Sequence, residues 1–139
     1  MSRHELREQI FKLLFRIEFN SLEDMQEQME LFSKDNALFA EDTEVEKTEE
    51  ESAYITNKNT KIMEKLSEID KAINDKAEGW TTDRMGKVEV TILRLAVFEI
   101  MYDEEVPTSV AINEAVELAK EFGQDNSGKF VNAILAKFA

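Results

Sequence analysis

The chain has 139 residues, 42% hydrophobic and 34% charged, with one Pro, four Gly, no Cys and a net charge of −13. That length fits one domain or two small ones, and a chain this size buries roughly two-thirds of its unfolded surface without staples. The missing cysteines exclude disulfides, thiolate zinc sites and cysteine nucleophiles. No apolar run approaches the ~18 residues a membrane span needs, and the N-terminus has no signal-peptide core, so the expectation is a soluble, cytoplasmic protein. So few Pro and Gly leave few turns, which favours long helices over a many-stranded sandwich or barrel.

The charge is uneven. Residues 1–17 carry Arg3, Arg7, Lys12 and Arg16 against Glu5 and Glu8, whereas residues 18–56 carry thirteen acids against Lys34 and Lys47. A globule this acidic repels phosphate backbones, so nucleic-acid binding has to be local or helped by a partner. The plain alternative for the acid excess is solubility.

Leu6, Ile10, Leu13, Leu14 and Ile17 recur at helical spacing and predict a first helix from near Ser2 to near Asn20. Phe11, Phe15 and Phe19 form a second stripe four residues apart, away from the centre of the first. Two apolar faces on one helix fit either burial on both sides or packing on one side with a partner on the other. Ser21 to Asp24 resembles a capping box, and Leu22, Met25, Met29 and Phe32 then give a short second helix. Residues 35–51 are acidic and aperiodic and read as a loop, whose glutamate end suits the start of the next helix. Ile55, Ile62, Leu66, Ile69 and Ile73 carry one long helical pattern, ended by Gly79.

Trp80 falls in a short connector, Gly79–Gly86. Val88 to Tyr102 is apolar nearly all round; its fifteen residues, with Glu89, Arg94 and Glu99 inside, favour a central helix over a buried strand. Pro107 starts the next helix, whose Ile112, Ala115, Val116, Ala119 and Phe122 end at Gly123. A turn over Gln124–Gly128, with Asn126 or Ser127 as N-cap, leads to a last helix through Val131, Ile134, Leu135 and Phe138. The fold class is all-α, about seven helices and no strand.

Enzyme chemistry finds little support. His4 is the only histidine, at a terminus, and there are no Glu-x-x-His pairs, no Walker loop and no Gly-x-Gly-x-x-Gly. No catalytic residue, metal site or cofactor is expected. Two features point instead to binding. Arg3, His4 and Arg7 crowd the first two turns of the first helix, against the macrodipole preference, and are candidate RNA phosphate contacts or simply solvated residues. In the last turn, Lys129 adds charge near a helix N-terminus and Phe130 either stacks a base or belongs to the core.

Residues 80–132 carry a more specific signal. Trp80, Arg84-Met85, Val88-Glu89, Ile92 to Glu99, Val106-Pro107, Val110 to Lys120, Phe122-Gly123 and Ser127-x-Lys129-Phe130-Val131-Asn132 resemble, in order and spacing, the NusB family of bacterial transcription antitermination factors. Arg3, Arg7-Glu8 and Tyr54 match the family's Arg-rich start and third helix more loosely. The resemblance implies two small helical subdomains, here 1–78, with the acidic loop, and 79–139, forming one compact domain. It implies RNA binding at boxA jointly with ribosomal protein NusE, and read-through of terminators, notably in rRNA operons, with other Nus factors and RNA polymerase. By position, Arg3, His4, Arg7, Asn126, Lys129 and Phe130 would face RNA, and Phe15 and Glu89 would face NusE.

Two departures from the family pattern stand out. Glu5 and Leu6 interrupt the basic start, and Asn126 stands where an acid is common in the family. A thinner basic run implies weak RNA binding alone, with a basic partner supplying charge. The competing function is a helical protein-interaction module or homodimer with little RNA affinity. NusB-like domains fused to RNA methyltransferases also occur, but the chain stops at Ala139 without a catalytic domain, so that version is not expected.

Overall fold

The computed structural model describes residues 1–34 and 48–139. Residues 35–47, most of the acidic loop, lie outside it. Among the described residues there are seven α-helices and no strand: α1 (Arg3–Phe15), α2 (Met25–Lys34), α3 (Glu49–Glu64), α4 (Leu66–Lys76), α5 (Lys87–Tyr102), α6 (Thr108–Phe122) and α7 (Ser127–Leu135). They fall into two compact units, Met1–Met63 and Glu64–Ala139. The stretch read as one long helix is two, α3 and α4, separated at Lys65, whose φ of −103° and ψ of 8° leave the helical basin.

In the first unit, α1 starts on a full capping box. The Ser2 hydroxyl accepts the Glu5 N–H and the Glu5 carboxylate accepts the Ser2 N–H, both at 3.1 Å. Glu5 therefore has a structural reason to interrupt the basic run. The Ser2 backbone N–H first, and then the Ser2 side chain, hold its carboxyl below the ordinary carboxylate range. A depressed pKa stabilises the fold above the unfolded value, and that stabilisation is lost as pH falls through the folded one. The start of α1 should loosen in acid below about pH 4, and Glu5→Gln should flatten that dependence in a pH series of amide exchange. Ser2→Ala should cost about 1 kcal/mol in a denaturant titration.

Ile10, Leu13 and Leu14 of the first stripe are fully buried. The helix tightens after Phe15 into a 3₁₀ turn, Arg16–Glu18, short of the predicted end at Asn20. The Ser21 hydroxyl accepts the Asp24 N–H, which is half of the expected capping box, and α2 then buries Met25, Met29 and Phe32. A second full capping box, Thr48 with Glu51, opens α3. The glutamate end of the acidic stretch is thus its first turn, as the macrodipole suggests. Ser52, Ile55, Asn59 and Ile62 form its buried stripe, and the Asn59 amide donates to the Ile55 carbonyl at 2.9 Å.

The second unit is built around α5, which packs on α4, α6 and α7. This explains its all-round apolar sequence: nine of its sixteen residues are buried, from Val90 to Glu99. Ala111, Ala115 and Ala119 line the buried face of α6, small enough for a close approach. Arg94 of α5 grips Asp70 of α4 with two hydrogen bonds of 2.9 Å, both side chains largely buried. Removing one partner strands the other's charge. Arg94→Ala should destabilise the chain by roughly 2–3 kcal/mol in urea denaturation.

Candidate functional site

The first candidate surface belongs to α1. Arg3 is exposed, while His4 is half-buried and pairs with Glu8 one turn on, at 2.9 Å. Arg7 is only 8% exposed, so any phosphate it meets reaches an edge of the guanidinium rather than an open side chain. On the second stripe burial falls steadily along the helix: Phe11 is buried, Phe15 half-buried, and Phe19 is 63% exposed. Their rings form a ladder, Phe11 to Phe15 at 5.9 Å and Phe15 to Phe19 at 5.3 Å. With Leu22 also exposed, this end of the unit presents aromatic surface to solvent.

The second candidate surface is the turn between α6 and α7. Asn126 is the residue before α7 but makes no side-chain cap. Ser127 instead reaches back: its hydroxyl accepts the Gln124 N–H at 2.9 Å and donates to Glu89 Oε1 of α5 at 2.8 Å. Behind this turn lies an open cavity of about 400 Å³, lined by Trp80, Met85, Glu89, Asn126 and Phe130 among others. Phe130 is half-buried and meets the half-exposed Trp80 edge-on, ring centroids 5.6 Å apart. Lys129 is exposed on the other side of the turn, in a groove with Asn113, Asn132, Asp125 and Lys120, the last paired with Glu117 at 3.6 Å. The turn is therefore a ridge, with an aromatic cavity on one flank and a groove of mixed charge, carrying Lys129, on the other.

The aromatic flank suits a flat, partly apolar ligand such as a nucleic-acid base, with Lys129 near enough to meet an attached phosphate. The model of the NusB family matches residues 4–139. The chain belongs to the NusB family. It is 48% identical over 139 residues, all of both chains, to the transcription antitermination protein NusB of Agathobacter rectalis. Among solved structures it resembles T. maritima NusB, with a TM-score of 0.83 and 33% identity, covering 100% of this chain and 91% of that one. It also shares its fold with a chain of a solved complex of antitermination factors NusB and NusE with double-stranded RNA, at a TM-score of 0.72 and 24% identity, covering 99% and 97%.

Each unit of this NusB-family chain thus carries part of the residue set expected from the sequence. Arg3, His4 and Arg7 share the first turns of α1, with Phe15 further along it. Asn126, Lys129, Phe130 and Glu89 gather around the second unit's turn. Sequence reasoning leaves Trp80 in a connector and Ser127 as a plain cap, yet both shape this turn. The signal for Ser127 was present in Gly123. A Cβ there would sit 2.5 Å from Ser127 Oγ and 2.7 Å from the Ala119 carbonyl, so the glycine makes room for the serine. No helix among the described residues is long and apolar enough to cross a bilayer.

Proposed function

We propose that this chain is an RNA-binding transcription antitermination factor that pairs with ribosomal protein NusE and binds boxA RNA, promoting read-through, notably of rRNA operons. The observation that carries the reading is the family match over residues 4–139. The edge-on Trp80–Phe130 pair beside Lys129 gives it a physical mode: one base stacks on the aromatic pair while the backbone crosses the turn toward that lysine. Arg3, His4 and Arg7 add phosphate contacts from α1, and Asn126 offers its amide to a base or sugar.

Phe15 and the exposed Phe19 receive the partner, with Glu89 as a polar contact. The net charge of −13 keeps the RNA affinity of the chain alone low, so a basic partner completes the grip. The factor acts by binding, without catalysis, in the cytoplasm, and assembles with other Nus factors and RNA polymerase on the transcript.

A transcription assay tests this reading. On a template with boxA upstream of a terminator, the chain with its partner and the other Nus factors should raise read-through, and a boxA-scrambled template should not respond. Equal read-through on both templates would sink the proposal. Within that frame, Arg3→Ala should weaken RNA binding on all sequences alike and reduce the slope of log affinity against log salt by about one unit.

A further inference from the structure

Glu89 sits on α5, yet its clearest bond is to the RNA-reading turn. Its Oε1 accepts the Ser127 hydroxyl at 2.8 Å, and the same hydroxyl accepts the Gln124 N–H at 2.9 Å. Ser127 is 3% exposed, so the hydroxyl at the centre of this chain of bonds is buried, while Glu89 at one end is half-buried and Gln124 at the other is exposed. Gly123 leaves the space the serine needs, since a Cβ would press within 2.6 Å of Ser127 Cβ as well as on its Oγ. The backbone of the turn is thereby tied at Gln124 and at Ser127, on either side of Asp125 and Asn126. Phe130 follows within the first turn of α7 and shares its cavity with Glu89 and Trp80.

We infer that Glu89 and Ser127 form a latch by which α5 holds the α6–α7 turn in its RNA-reading shape, making Glu89 a positioning residue for RNA in addition to its partner-facing role. The inference rests on the RNA reading above and deepens it. Sequence position alone assigns Glu89 to the partner. Under that assignment, its loss should affect only the heterodimer. Under the latch, its loss weakens RNA binding even when no partner is present, because the turn relaxes and the aromatic pair loses its setting. A carboxylate that faces both the turn and solvent also gives a docking partner direct access to the bond that shapes the turn.

Trp80 is the only tryptophan and lines the cavity, so its fluorescence reports on the site directly. The test titrates the full chain, without partner and at low salt, with a boxA RNA oligonucleotide, reading Trp80 quenching. Ser127→Ala and Glu89→Ala should each weaken binding about fivefold to tenfold, the effect of losing one part-buried hydrogen bond. Both should shift Trp80 emission before RNA is added. Glu89→Gln keeps an oxygen that accepts from Ser127, and should restore binding to within about twofold and return the emission to the wild-type position. Circular dichroism melts of the same variants check that helix content is retained, so that a shifted emission reports the turn rather than unfolding.

Wild-type binding with unchanged binding by Ser127→Ala would overturn the latch and leave the RNA reading intact. So would a Glu89→Ala variant impaired only when the partner is added. A wild-type chain that binds no boxA RNA either alone or with its partner would remove the RNA reading itself, and the latch with it.

Discussion

Phe15→Asp should abolish pairing with NusE while the chain stays folded. Phe15 is half-buried between the buried Phe11 and the 63% exposed Phe19, so it stands where α1 passes from core to surface. A buried aromatic anchor at an interface is worth roughly 2–4 kcal/mol, and a carboxylate in its place adds the cost of an unpaired charge on desolvation. Calorimetric titration of the partner should therefore show no heat of binding. The fully buried Ile10, Leu13 and Leu14 keep α1 in place, so a melting curve should remain cooperative. A variant that does not fold would mean the helix is buried on both faces and the aromatic ladder is core.

Phe130→Ala should weaken boxA RNA binding by ~1–3 kcal/mol, the range for one base–aromatic stack. Phe130 is half-buried with its ring edge-on to Trp80, whereas Val131, Ile134 and Leu135 are the buried apolar residues of α7. Truncation should thus spare most of the stability of α7. Trp80→Ala should produce a smaller loss, and the double variant should lose less than the two losses added, because one platform is being dismantled twice. A filter-binding series with the single and double variants reads this directly. If Phe130→Ala unfolds the chain, the ring is structural and the stacking account falls.

Much of this fold is legible in the residues because period and length agree. Val88 to Tyr102 has too many apolar positions for a one-sided helix and too many residues for a strand, and α5 is the buried centre of its unit. Met25, Met29 and Phe32 mark a single face that α2 buries, whereas Leu22, read with them, lies before the helix and is exposed. The break at Lys65 is different. Ile62, Leu66 and Ile69 keep helical spacing straight across it, with neither Gly nor Pro nearby, so the pattern carries no trace of the backbone turn. The capping boxes of α1 and α3 are written plainly as Ser2-x-x-Glu5 and Thr48-x-x-Glu51. The first hides because a glutamate in a basic run reads as a lost cation; at the second, the glutamate end of the acidic run already suits a helix start, and only the pairing of Glu51 with Thr48 goes unread.

The site is half legible for a related reason. Asn126, Lys129 and Phe130 are neighbours in sequence, and their turn can be read as one unit. Trp80 lies fifty positions earlier, and only the folding of the connector against α7 brings its ring to Phe130. The bond from Glu89 to Ser127 spans thirty-eight positions and two helices. No periodicity encodes such pairs; they follow from how α5, α6 and α7 pack.

The account depends on shared labour between an acidic helical chain and a basic partner. It is tested most directly by measuring boxA RNA affinity for the chain alone and with NusE, each at two salt concentrations. The account predicts weak binding alone, a gain of at least tenfold with the partner, and a steeper salt dependence for the pair, because the partner adds phosphate contacts. Tight binding by the chain alone, or an affinity and salt slope that the partner leaves unchanged, would contradict it.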